Sequence, residues 1–100
     1  MTREIEANLE VASSALKSTD WTVIAKPYGI GCMVVVCEAP GNTGATIRIE
    51  GRTVSMYPPT DARGYYIGRV EHVGTFRGRG WQGAMGKAID RAARDAEFRW

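Results

Sequence analysis

The chain has one histidine, two cysteines and four prolines in 100 residues. Each scarcity removes a class of function. His72 is the single imidazole, so a Ser–His or Cys–His mechanism would have to run through it, and no motif places a nucleophile beside it. No serine sits in a G-x-S-x-G elbow. A small enzyme built on His72 is the remote alternative, and a non-catalytic protein is the expectation. Two cysteines and one histidine also fall short of the four ligands that a structural zinc usually takes. Cys32 and Cys37 lie in GCMVVVCE, which reads as strand. Five residues of strand span about 16 Å and turn the two side chains to opposite faces, whereas a disulfide needs Cα atoms within about 7 Å. Both are therefore expected as buried thiols. No metal and no cofactor is implied.

Long apolar runs are missing as well. The nearest approach, VIAKPYGIGCMVVVC, is interrupted by Lys26 and Pro27. The start, MTREIEANLE, is acidic and amphipathic, unlike a secretory leader. These features lead to the expectation of a cytoplasmic protein with no membrane partner. Repeats and low-complexity tracts are absent too, and the length suits a single domain over 1–100. A hydrophobic fraction of 44% is enough for one modest core.

What is present is a clear alternation of periods. Ile5, Leu9, Ala12 and Leu16 recur at helical spacing after Thr2, a suitable N-cap. WTVIAKP alternates as a strand with Trp21, Val23 and Ala25 on one face, and Tyr28-Gly29 reads as a turn. Ile30–Glu38 is a continuous apolar run that suits a central strand. APGNTG, residues 39–44, is a loop. ATIRIE points Ile47 and Ile49 inward and Arg48 and Glu50 outward. Gly51-Arg52 fits a two-residue hairpin of type II′, and TVSMY alternates again. PPTDARG, 58–64, is a loop closed by its prolines. YYIGRVEHVGTF, 65–76, reads as the last strand, bulged at Gly68. In the closing helix Met85, Ala88, Ile89, Ala92, Ala93 and Ala96 fall within an arc of about 140°. The sequence predicts a two-layer α+β fold: N-terminal helix, about five antiparallel strands in a meander, and C-terminal helix, with both helices on one face.

GRGWQG, residues 78–83, spells G-x-G-x-x-G between a strand and a helix. A dinucleotide site further requires a second parallel strand and an acidic residue about 20 positions on. Only 17 residues follow Gly83, and they form one helix. The glycines therefore serve a turn, leaving backbone N–H groups at a helix start between Arg77 and Arg79.

Charge is uneven. Residues 1–50 carry four basic and six acidic residues; residues 51–100 carry nine basic and five acidic, and eight of the nine are Arg. Tyr57 and the other Tyr and Arg residues of this half gather with Trp81, and Tyr, Trp and Arg dominate interface hot spots. Arg63, Tyr65, Tyr66, Arg69, Arg77, Arg79, Trp81, Lys87, Arg91 and Arg94 are the candidate partner-binding residues. The stretch GRGWQGAMGKAIDRAARDA resembles the closing helix of double-stranded-RNA-binding domains, which implies a nucleic-acid partner. It departs from that family in having Lys87 alone where the family has a lysine cluster, and the chain has too many strands. The short closing helix MGKAIDRAARDAEF on a small sheet resembles, in format, the accessory proteins of phages and mobile elements, including anti-CRISPR inhibitors. That resemblance implies a protein that occupies a surface of a larger protein or ribonucleoprotein complex, the preferred partner. Nucleic acid is the alternative, and an exposed sheet edge would also suit a homodimer.

Overall fold

The computed structural model describes residues 2–41 and 43–100; Met1, and Asn42 in the loop expected over 39–44, lie outside the described residues. Seven elements follow in order: α1 (Arg3–Ala15), β1 (Thr22–Pro27), β2 (Met33–Glu38), β3 (Thr46–Glu50), β4 (Thr53–Tyr57), β5 (Glu71–Thr75) and α2 (Trp81–Arg99). The strands pair in chain order, all antiparallel, as an open five-stranded meander. The expected α+β architecture is the observed one.

Local chemistry explains three of the boundaries. The Thr2 hydroxyl accepts from the Ile5 N–H and caps α1, with Glu4 and Glu6 in the first turn at the positive end of the dipole. Gly51 takes φ +60° while Arg52 stays at negative φ, as a type II′ hairpin requires. Gly78 and Gly80 both have φ near +80°, and Gly80 starts α2 without any side-chain cap. These two glycines therefore shape a turn.

Both helices lie on one face of the sheet. α1 packs on β1 and β2, and α2 on β3, β4 and β5. The core joins Ile5 and Ala12 of α1, its C-cap Leu16, and Met85, Ile89, Ala93 and Ala96 of α2 to Val35, Cys37, Ile47, Ile49, Val54 and Met56 of the sheet. Each large apolar side chain buried there stabilises the fold by roughly 1.5–3 kcal/mol. Alanines on α2 let it sit close to the strands. Trp21 is buried in the same core and Trp100 packs against it half-buried.

Four expectations need correction. The second strand starts at Met33, not Ile30, because residues 28–32 are spent on a hairpin turn closed by the Tyr28 N–H donating to the Cys32 carbonyl at 2.8 Å. Cys32 is consequently exposed, and only Cys37 is a buried thiol. The last strand is Glu71–Thr75, far shorter than 65–76. The cause is Asp61, whose carboxylate accepts from the backbone N–H groups of Arg63 and Tyr65 at 2.8 and 3.1 Å. That bonding holds a local turn that competes with the ladder. The bulge lies elsewhere too. Val54 pairs with Gly74 and Ser55 with His72, which leaves Val73 as the extra residue.

Candidate functional site

The second face of the sheet carries no helix. At its middle stands Arg48, the third of five residues in the central strand. Its cross-strand neighbours are Val36 on β2 and Ser55 on β4, followed outward by Ile24 and His72. Val34 and Val36 are buried on this face but stand outside the core cluster. The Arg48 guanidinium carbon lies 4.1 Å from the ring centroid of Tyr57 and 5.7 Å from that of Tyr28. Tyr57 in turn meets Tyr66, with centroids 5.7 Å apart and planes tilted by 51°. Tyr28, Arg48, Tyr57 and Tyr66 thus form one continuous row across the uncovered face.

Arg48 is in no ion pair among the described residues. The ion pairs among the described residues are Lys26–Glu38, Arg52–Glu4, Arg94–Asp90 and Arg99–Glu71. The Arg48 Nε is buried and has no hydrogen-bond partner. A buried, unmatched guanidinium N–H costs about 1–3 kcal/mol, which the stacking on Tyr57 offsets in part.

The excursion over 58–70 extends this row. Pro58 and Pro59 are buried and root it. The Asp61 N–H donates to the Tyr65 carbonyl, the Gly64 N–H to the Asp61 carbonyl and the Ile67 N–H to the Pro59 carbonyl, so the segment doubles back as an ordered finger. All of residues 61–70 are exposed. Tyr65 is 68% exposed, Ile67 56% and Val70 44%. Large apolar side chains held this far out in a fixed loop suit a docking surface better than a solvated one.

The ten residues expected to bind a partner fall into three places. Arg63, Tyr65, Tyr66 and Arg69 are on the finger, and Tyr66 joins it to the Arg48 row. Arg77, Arg79 and Trp81 lie at the opposite end of β5, beside the β3–β4 hairpin, where the Phe76 N–H donates to the Arg52 carbonyl. Lys87, Arg91 and Arg94 are on α2; all three are exposed, and Arg94 is paired with Asp90 at 3.2 Å. One face of Trp81 is occupied, since the Arg52 guanidinium sits 3.6 Å from its ring centroid. The same guanidinium donates to the Asn8 side-chain Oδ1, and the Asn8 side-chain amide donates to the Gly51 backbone carbonyl at 2.7 Å. Trp81, Arg52 and the fully buried Asn8 therefore clamp the hairpin to both helices. Arg48, Tyr28 and Tyr57 were not among the ten. Their signal was faint: Arg48 reads as one outward residue of an alternating strand, and the register that stacks it on tyrosines is set by tertiary pairing.

Other chemistry is muted. Burial pushes the Cys37 thiol up to about 12, which holds it protonated and inert. The described residues hold no group of three or more His, Cys, Asp and Glu placed to bind a metal, and no helix among them is long and apolar enough to cross a membrane. Comparison with family models, with curated proteins and with solved structures finds no match for this chain.

Proposed function

We propose that this is a non-catalytic docking protein that occupies a surface of a larger protein or ribonucleoprotein complex. Its uncovered sheet face and finger make the contact, and Arg48 receives an acidic group of the partner. The observation that carries this reading is the buried Arg48 Nε without a partner, beside Tyr57 and in line with Tyr28 and Tyr66. A carboxylate arriving at the half-buried Arg48 guanidinium would neutralise its charge in a charge-assisted bond. Tyrosines around it supply large contact area at small entropic cost, and Tyr65, Ile67 and Val70 extend the apolar part. Occlusion is the consequence of such docking, as in the blocking mode of small mobile-element inhibitors.

Electrostatics favour a protein over duplex nucleic acid. A duplex laid along the helix layer would meet Lys87 and Arg91 on α2, but also the exposed carboxylates Glu4, Glu6 and Glu10 on α1. Readers of duplex RNA shape need a dense basic face. Panning a random peptide library against the wild type and against Arg48→Met in parallel tests the reading. Peptides enriched on the wild type should carry Asp or Glu and be lost on the variant. Enrichment of the same peptides on both proteins, or of none, would overturn it.

A further inference from the structure

We propose that the free edge of β5, together with the groove between β5 and α2, accepts an extended acidic segment of a partner protein as a sixth strand. This surface borders the Arg48 face at His72 but stands on different observations. β5 ends the sheet, and no strand among the described residues pairs with its outer side. Five residues give an edge of about 16 Å, enough for an extended peptide to form several main-chain bonds.

The two edges of the sheet differ in protection. The β1 edge ends in Pro27 and carries Lys26, which is paired with Glu38 at 3.3 Å. Proline and lysine are the usual means of blunting an edge. β5, with the sequence Glu-His-Val-Gly-Thr, has neither. Its one carboxylate, Glu71, is taken up by two bonds from Arg99 at 2.5 and 2.7 Å.

Beside this edge runs a groove of about 420 Å³. Met56 and the bulged Val73 give it an apolar floor, and Ala84 and Ala88 keep the helix wall low. Side chains pointing one way from an added strand would enter it, two residues apart. Lys87 and Arg91 line the same wall one turn apart, and neither is in an ion pair among the described residues. Asp95 and Glu71 are the opposing charges in the lining, and Glu71 is already bonded by Arg99. The positive pair selects acidic side chains. It also disfavours a second copy of this chain, because two-fold pairing of β5 with β5 would set the Lys87–Arg91 walls of two α2 helices against each other.

The test uses labelled octapeptides that alternate glutamate with valine, with the lysine-for-glutamate peptide as control. Binding is read by fluorescence anisotropy, and amide hydrogen exchange is followed at His72, Val73 and Gly74. The glutamate peptide should saturate below millimolar concentration and slow exchange in β5, and the lysine peptide should not bind. Lys87→Glu/Arg91→Glu should lose at least tenfold in affinity. N-methylation of one alternate set of peptide amides should abolish binding and the other set leave it intact, which tests strand pairing without altering the protein. No saturable binding, equal binding by the double variant, or tolerance of both methylation sets would overturn the proposal. So would a dimer that protects the β5 amides in the absence of peptide.

Discussion

The guanidinium of Arg48 rests 4.1 Å from the centroid of Tyr57 on the sheet face that no helix covers, with its Nε buried and unbonded. The stack is worth about 0.5–2 kcal/mol, and the stranded N–H costs a similar amount. Arg48→Met keeps the apolar stem and removes the unmatched donor. The variant should therefore be within about 1 kcal/mol of wild type, or more stable, in urea unfolding. A loss of 3 kcal/mol or more would assign Arg48 to the fold and not to a partner.

Asn8 is the reverse case, a polar residue kept for the fold. Its amide donates to the Gly51 carbonyl and its oxygen accepts from Arg52, which covers Trp81. Asn8→Ala strands both partners and should cost about 2–3 kcal/mol. For a domain of this size the thermal midpoint would drop by about 10 °C or more. A change below about 0.5 kcal/mol would show that the clamp is dispensable.

The two thiols should separate cleanly. Cys32 is exposed in the β1–β2 turn and Cys37 is buried in the core. An aromatic disulfide reagent should titrate one thiol in the native protein and two in denaturant. Burial lifts Cys37 from its ordinary 9.0 to about 12, so the folded state holds its proton longer than the unfolded chain does. The resulting stability is complete below pH 9 and is lost as pH rises from there toward 12. Cys37→Ala should flatten that alkaline slope. Rapid reaction of both native thiols would contradict the assignment.

Acid should act through Glu71. Its bonds from Arg99 pull the carboxyl below the ordinary 4.5, so its contribution is present above that value and is lost as pH falls below it. Arg99 sits in the last turn of α2, so the effect should appear first as fraying there. Glu71→Gln should remove part of the acid slope seen in thermal scans from pH 7 to pH 3. An unchanged slope would leave the ion pair without thermodynamic effect, as many exposed pairs are.

Periodicity carried most of the architecture. The apolar stripe of α1, the alternation of Ile47 and Ile49, the Gly51 hairpin and the alanine face of α2 were legible because each is a local pattern with a local cause. Residues 65–76 misled because Tyr, Ile and Val have high strand propensity, whereas the turn is set by the side chain of Asp61. Asn8 shared the helical face of Ile5 and Ala12, and its burial could have been suspected from that spacing. The Arg48 row was not legible. Tyr28, Arg48, Tyr57 and Tyr66 are scattered over 39 positions, and only the strand register and the finger bring them into line.

The central claim is that recognition is seated at Arg48 and not at the Gly78–Gly80 corner. Isothermal titration of the tightest peptide from the library panning tests it most directly, run on wild type, on Arg48→Met and on Arg77→Glu/Arg79→Glu. Loss of at least tenfold for Arg48→Met, about 1.4 kcal/mol, with near-native affinity in the corner double variant, is the predicted result. Full affinity in Arg48→Met together with loss in the corner double variant would contradict it.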